Sequence, residues 1–189
     1  MLQVYIEKND VARAREALQG GCRWLVLQEG TPAATIEEIK AMAAPLKAIV
    51  TLENDAALAR ECGLDGVWLA TAAPQAMIAA RKALAQEQIL GVNVTTLDAL
   101  LQVPERSVDY VTLAMPPAGL AEAVTAFRKV NTELPLVALV HRGDLDAVET
   151  AMQAGVNGVM MHAPATMGLV GQVMARLSVI VEEQLKELE

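Results

Sequence analysis

The stretch ECGLDGVWL, residues 61–69, has the same order of residue types as QAGVNGVMM, residues 153–161. Each reads as a helix end, a glycine, an apolar residue, an Asp or Asn, a second glycine, a valine and a short apolar strand. RSVDYVTL, residues 106–113, is a looser third version. A glycine directly after a helix is typical of a left-handed helix stop. The pattern therefore predicts a helix–turn–strand unit that recurs along the chain.

On either side of these stretches, eight short apolar runs rich in Val, Ile and Leu alternate with helical patterns. They lack the strict alternation of half-exposed strands, which is typical of strands covered by helices on both faces. The predicted strands are residues 3–7, 24–28, 48–52, 66–69, 89–94, 110–113, 136–140 and 158–161.

Capping residues mark where the helices between these strands begin. The predicted N-caps are Asn9 or Asp10, Thr35, Thr96 and Asp144. Thr35 is followed three residues later by Glu38, which is the spacing of a capping box. Glycines at the ends of the helical patterns predict where several of these helices stop.

Eight strands that alternate with eight helical segments predict an α/β fold made of parallel βα units. The closure that we predict is a compact (β/α)8 TIM barrel, with residues 1–189 as one domain. A doubly wound open sheet is the alternative. No G-x-G-x-x-G or P-loop signature follows any of the predicted strands, which favours the barrel.

Charge and composition narrow the classes of partner. The formal net charge is −8, and no Lys/Arg-rich run appears, which argues against nucleic acid and anionic membranes as partners. Neither a signal peptide nor an apolar run of about 18 residues is present, so we expect a cytoplasmic protein. Cys22 and Cys62 lack a metal-binding spacing, and we expect both to be reduced and structural.

Both histidines of the chain stand where predicted strands end, His141 after strand seven and His162 after strand eight. In a barrel these ends share one face, which is where chemistry takes place. We therefore predict His141 and His162 as catalytic residues for acid–base work. A metal site made of two histidines and one of the strand-end carboxylates is a weaker alternative, and we predict neither a metal nor a cofactor.

Polar residues at the same face are candidates for ligand binding. Arg142 precedes the helix that begins at Asp144, an arrangement that suits a phosphate or carboxylate. The other predicted ligand-binding residues are Gln28, Glu53, Asn54, Asn93 and Thr95. Lys8 also follows a strand, but a solvated lysine beside Glu7 is the simpler interpretation.

Several of these segments resemble one family. The segments are GGCRWLVLQEG, TLENDAALARECGLDGVWLA, ILGVNVTT, SVDYVTLAM and LPLVALVHRGDLDAVETAMQAGVNGVMM. In their order and spacing they are similar to the strands of the thiamine phosphate synthase and TenI-like superfamily, nearly from end to end. The resemblance implies a TIM barrel, and its apolar positions and structural glycines carry most of it.

The functional positions of that family largely differ here. The strand-two Arg and Lys that hold diphosphate fall at Gln28 and Gly30, and the metal-binding acidic positions fall at Asn54 and near Ala73. The strand-five Ser and His become Asn93 and Thr95. Further departures are Met115-Pro116-Pro117-Ala118 in place of the substrate loop, Val140-His141 at the Gly-Gly phosphate turn, Ala163 at the strand-eight Ser, and Ala114 near the catalytic His of the TenI-type enzymes.

These departures predict that diphosphate-dependent synthase activity has been lost. We expect the barrel mouth to bind or transform a small anionic metabolite, with lyase or isomerase-type proton transfer as the chemistry if it is an enzyme. The alternatives are a metabolite-binding protein without catalysis, a homodimeric interaction protein, and a thiamine phosphate synthase with an atypical site. The last helix, with Val173, Leu177, Ile180, Val181 and Leu185, could contribute to a dimer interface, although covering the barrel is its simpler use.

Overall fold

The computed structural model describes residues 1–141, 144–162 and 166–186. Eight parallel strands form a closed barrel in chain order, and the eighth strand pairs with the first through Val4 and Met161. The strands are β1 (Leu2–Ile6), β2 (Trp24–Leu27), β3 (Ile49–Glu53), β4 (Gly66–Leu69), β5 (Ile89–Val94), β6 (Tyr110–Leu113), β7 (Leu136–His141) and β8 (Gly158–His162).

A helix follows each strand and packs against the outside of the barrel. The helices are α1 (Val11–Gln19), α2 (Ala33–Ala43), α3 (Ala56–Glu61), α4 (Pro74–Ala83), α5 (Leu97–Leu101), α6 (Pro117–Arg128), α7 (Leu145–Gln153) and α8 (Met167–Lys186). Short 3-10 helices lie at Ala44–Leu46 and Glu105–Ser107. The predicted (β/α)8 TIM barrel is thus confirmed.

The predicted N-caps are right for three helices. The carboxylate of Asp10 accepts the N–H of Arg13 at 2.9 Å, and the hydroxyl of Thr96 accepts the N–H of Ala99 at 3.2 Å. Asp144 accepts the N–H of Asp146 at 3.0 Å. Each of these side chains satisfies a backbone donor that the first turn of a helix leaves free.

The capping box predicted at Thr35 is wrong. The helix α2 begins two residues earlier, at Ala33, and Pro32 precedes it without any side-chain cap. The first helical hydrogen bond runs from the N–H of Ile36 to the carbonyl of Pro32. Proline fixes a backbone angle that suits a helix start, and the alanines that follow are strong helix formers, so the helix begins ahead of Thr35.

The recurring Asp or Asn has a structural role in all three copies of the turn. Asp65 accepts the N–H of Val50 at 2.7 Å, and Asp109 accepts the N–H of Leu90 at 2.7 Å. Asn157 accepts the N–H of Leu136 at 2.8 Å. In each case the residue before an even-numbered strand caps the start of the odd-numbered strand beside it. The repeated pattern thus satisfies backbone donors at the base of the barrel.

The second glycine of the pattern makes room for a neighbouring strand. A Cβ atom at Gly66 would overlap the carbonyl oxygen of Ile89 at the start of β5. Likewise, a Cβ atom at Gly158 would overlap the carbonyl oxygen of Met1. Close approach of backbone to backbone, rather than of helix to strand, therefore requires these two glycines.

Large side chains fill the inside of the barrel. Tyr5, Trp24, Trp68 and Tyr110 form one buried cluster with Val26, Val137 and Met160. Edge-to-face contacts join Trp24 to Tyr110, with ring centroids 5.1 Å apart, and Tyr5 to Trp68, with centroids 6.1 Å apart. Both tryptophans of the chain are thus core residues inside the barrel. The alternate residues of each strand point outward and pack against the helices.

The last helix mainly covers the barrel. Val173, Leu177 and Ile180 on α8 are buried, whereas Val181 and Leu185 in its final turns are exposed. None of the helices in the described parts of the chain combines the length and the apolar character that a membrane crossing requires.

Both cysteines are free and buried. Burial raises the pKa of the Cys22 thiol to about 11, and its sulfur lies 3.0 Å from the carbonyl oxygen of Trp24. Two separate, buried thiols agree with the structural roles predicted for them.

We expect Gly66→Ala to lower the free energy of unfolding by about 3 kcal/mol, because the added methyl overlaps backbone that cannot move independently of β5. The matched control is Gly119→Ala in α6, where a Cβ atom meets no other atom within 4 Å. Alanine there should raise the same free energy by about 0.5–1 kcal/mol, since glycine is a poor helix former. Urea denaturation measures both, and equal effects of the two substitutions would contradict the proposed strand contact.

Candidate functional site

The carboxyl ends of the strands form the mouth of the barrel, and both histidines face it. His141 and His162 are direct register partners on β7 and β8. Side chains alternate along a strand, so His141 lies on the same face as Val137 and Leu139, which pack into the interior cluster. The two predicted catalytic residues are therefore neighbours on adjacent strands, and their predicted roles stay predictions.

The two histidines differ in their surroundings. The ring of His162 is half buried and stacks on the ring of Tyr5, with centroids 4.3 Å apart and planes 20° apart. His141, in contrast, is exposed at the end of β7. A ligand in the mouth can therefore contact His141 directly, whereas His162 has one face covered by an aromatic ring.

A short hydrogen bond joins Tyr5 to Glu53. The Tyr5 hydroxyl donates to the Glu53 carboxylate at 2.6 Å, and the N–H of Glu29 donates to the same oxygen at 3.0 Å. Burial and the bond to Glu53 raise the pKa of the Tyr5 phenol above its ordinary value. The negative charges of Glu7 and Glu29 raise this pKa further. Tyr5 is therefore a neutral hydrogen-bond donor at neutral pH, which holds the Glu53 carboxylate in place.

Asn54 uses both ends of its amide to join two loops. Its Nδ2 donates to the Glu29 carboxylate at 2.9 Å, and its Oδ1 accepts the N–H of Ala70 at 3.0 Å. The backbone of Asn54 adopts a positive φ of 59°, a conformation that asparagine tolerates better than most residues. The side chain thereby ties the end of β2 to the end of β4 across β3.

Asn93 on β5 is held in a similar way, and it also bonds to the backbone of Ala70 after β4. The Thr112 hydroxyl donates to Asn93 Oδ1 at 3.0 Å, while Asn93 Nδ2 donates to the carbonyl of Ala70 at 3.3 Å. The indole N–H of Trp68 donates in turn to Thr112 at 2.9 Å. The orientation of Asn93 is thus linked to the buried layer beneath it.

The remaining predicted residues are less engaged with one another. Gln28 is half buried, and its side-chain oxygen accepts the N–H of Lys8 at 2.9 Å. Thr95 is exposed just after β5. The predicted anion-binding Arg142 lies outside the described residues. For none of these does the structure test a role in ligand binding.

The charges of the mouth are unevenly distributed. Glu7, Glu29 and Glu53 lie around Tyr5, at the ends of β1, β2 and β3. In a ring of eight strands β7 is directly across from β3, so His141 lies on the side opposite Glu53. The β1–β3 side of the mouth thus carries three carboxylates around Tyr5, whereas the β7 side has His141 with the Asp144 carboxylate near it.

Sequence reasoning missed Tyr5 and Thr112 as residues that shape the site. Tyr5 precedes the strand-end Glu7 by two residues, so period-two alternation would have placed both on the face that points into the barrel. Thr112 similarly lies two residues before Ala114. The alternation thus indicated which way both side chains point. It could not indicate their hydrogen-bond partners, which lie 48 positions from Tyr5 and 19 positions from Thr112 in the chain.

We expect neither tyrosine of the chain to ionise at pH 10–11 while the protein is folded. Tyr5 and Tyr110 are its two tyrosines, and burial raises the pKa of both phenols. The stability that this contributes is present below pH about 10 and is lost as the pH rises further. Absorbance at the phenolate band should rise in one step together with the loss of circular dichroism.

A Tyr5→Phe variant is the control for this titration. It should halve the absorbance change without splitting the transition. A reversible titration of one phenol near pH 10 in the folded wild-type protein would contradict the raised pKa values.

Comparisons with known proteins find relatives of this chain in one family. A family model described as thiamine monophosphate synthase matches residues 3–164. Thiamine-phosphate synthase of Bacteroides fragilis is 28% identical, in an alignment that covers 78% of this chain and 81% of that protein. The corresponding protein of Phocaeicola vulgatus is 25% identical and aligns over 78% of this chain and 79% of its own length.

Solved structures show the same fold. Thiamine phosphate pyrophosphorylase from Pyrococcus furiosus superposes with a TM-score of 0.78 at 18% identity, covering 95% of this chain and 96% of its own. A structure described as native KDPGal superposes with a TM-score of 0.72 at 13% identity, covering 98% and 96%. At such identities the structural likeness concerns the fold alone. Because the family model spans most of the chain, the protein belongs to the thiamine monophosphate synthase family.

Proposed function

We propose that this member of the family binds a small organic anion at the β7 side of the barrel mouth and does not carry out diphosphate-dependent synthesis. One observation carries the proposal. Asn54 lies at the family's metal-binding position. Its side-chain amide is hydrogen-bonded to Glu29 and to the backbone of Ala70, and it thereby joins two loops.

The residues present do not fit a magnesium ion. Mg²⁺ prefers carboxylate oxygens in octahedral geometry. The amide oxygen of Asn54 already accepts a hydrogen bond, and the second family position falls near Ala73, whose side chain offers no ligand. Within residues 1–141, 144–162 and 166–186, no three His, Cys, Asp or Glu side chains lie close enough to hold a metal. We therefore assign no metal-dependent step to this site.

A diphosphate would also meet unfavourable charge. The family positions of its two cationic contacts are occupied by Gln28 and Gly30. Three carboxylates face the same side of the mouth around Tyr5. Without Mg²⁺ to neutralise its charge, a diphosphate would be repelled there. These observations support the loss of diphosphate-dependent synthesis.

A singly charged ligand has a more favourable place across the mouth. His141 is exposed on β7, opposite the Glu53 carboxylate. An imidazole can donate a hydrogen bond to a carboxylate and can exchange a proton near neutral pH. The chemistry that His141 supports on a bound anion is proton transfer of the lyase or isomerase kind. His162, stacked on Tyr5, would act as a second polar contact.

A second candidate is a thiamine phosphate synthase with an atypical site, and the names of the curated relatives favour it. To separate the two, we would assay thiamine phosphate formation from the thiamine precursors with Mg²⁺, using the Bacteroides fragilis enzyme as positive control. We expect a rate at least about a hundredfold lower than that of the control, since several charge-stabilising groups are absent. A comparable rate would establish the atypical synthase and overturn our proposal.

The anion site can be tested with acetate and phosphate as probes, by calorimetry or by NMR titration. We expect His141→Gln to weaken acetate binding about tenfold or more, because a hydrogen bond to a charged group is lost. Glu29→Gln removes a negative charge from the opposite side and should leave acetate binding equal or slightly stronger. If His141→Gln leaves acetate binding unchanged and Glu29→Gln abolishes it, the ligand lies on the β1–β3 side of the mouth, which would contradict our proposal.

A further inference from the structure

A cleft opens between α6 and α7 beside His141. Its volume is about 440 Å³, and its walls include Met115, Leu120, Ala147 and Ala151. The cleft begins at the rim of the mouth and extends into the layer where helices cover the barrel. It is therefore a second space that adjoins the proposed anion site.

Residues from both faces of β7 line this one cleft. Leu139 and His141 belong to the face that points into the barrel, and Ala138 and Val140 belong to the face that points toward the helices. The cleft therefore borders the end of β7, next to the mouth.

Small side chains keep the cleft open. The structure describes all eight strands. Their buried helix-facing positions hold Val, Leu, Ile or Met, with the exception of Ala138 on β7. Ala147 and Ala151 face the same region from α7. Protein interiors are normally packed as tightly as organic crystals, so the gap beside Ala138 leaves room for another molecule.

The chemistry of the walls limits what that molecule can be. Most of the lining is apolar, and the polar groups lie at the rim. Of these, the Asp144 carboxylate already accepts the N–H groups of Asp146 and Ala147 at the start of α7. An apolar cavity of about 150 Å³ is large enough to bind benzene, so this cleft has room for a substituted ring.

We infer that the cleft between α6 and α7 binds the apolar body of the ligand whose anionic group contacts His141. The inference rests on the proposed function and names its substrate class: a monocarboxylate that carries a ring or a branched apolar group. The carboxylate lies at the mouth, and the apolar group passes over β7 and contacts Met115 and Leu120.

Phenylacetate and acetate form the probe pair. We expect wild-type protein to bind phenylacetate at least about tenfold more tightly than acetate, because burial of a phenyl ring adds apolar contact area. Ala147→Leu fills the cleft and should abolish this difference while acetate binding is kept. The matched control is Ala121→Leu, on an exposed position of α6 outside the cleft, which should leave the difference unchanged.

Methyl NMR of the wild-type protein gives a test that does not depend on a variant. Phenylacetate, but not acetate, should shift the methyl signals of Met115, Leu120 and Val140, while that of Ile78 on α4 stays in place. Acetate binding at His141 without any preference for phenylacetate would overturn the cleft and leave the proposed anion site standing. Benzyl alcohol bound in the cleft without any carboxylate binding would overturn the anion site, and the absence of binding by all three would overturn both.

Discussion

An eight-stranded barrel must fill its own interior, and this requirement shapes the rest of the molecule. The chain has two tryptophans, two tyrosines and one phenylalanine, and four of these five rings lie inside the barrel. They fit because a neighbouring strand makes room for them: a Cβ atom at Gly91 would overlap the ring of Tyr110. With the interior occupied, a ligand can reach the protein at the mouth but cannot enter the barrel.

The filled interior also determines which way the mouth residues point. Tyr5 rises from the interior cluster and donates its hydroxyl to Glu53. Trp68 donates its indole N–H to Thr112, which in turn donates to Asn93. Glu53 and Asn93 are thus hydrogen-bonded to the packed layer below them. A different orientation of either side chain would require these bonds to be broken.

The fold could be predicted from sequence because its signals are local. Short apolar runs, helix-capping residues and glycines after helices each act within a few residues, and the strand order followed from the alternation. The prediction failed at Thr35, because the helix begins two residues earlier, at Ala33, directly after Pro32. The pairing of His141 with His162 followed from strand adjacency. The bond between Tyr5 and Glu53 did not, because it depends on side-chain directions across β2.

Two independent constraints favour the same orientation for the proposed ligand. The carboxylates around Tyr5 disfavour an anion on the β1–β3 side, which leaves the opposite side, where His141 is exposed. An apolar group attached to that anion cannot turn inward, because Trp68, Tyr110 and their neighbours fill the barrel. His141 also lines the cleft between α6 and α7, where Ala138 stands among bulkier helix-facing residues on the strands. For the proposed ligand, charge therefore favours the position of the polar end, and packing favours the position of the apolar end.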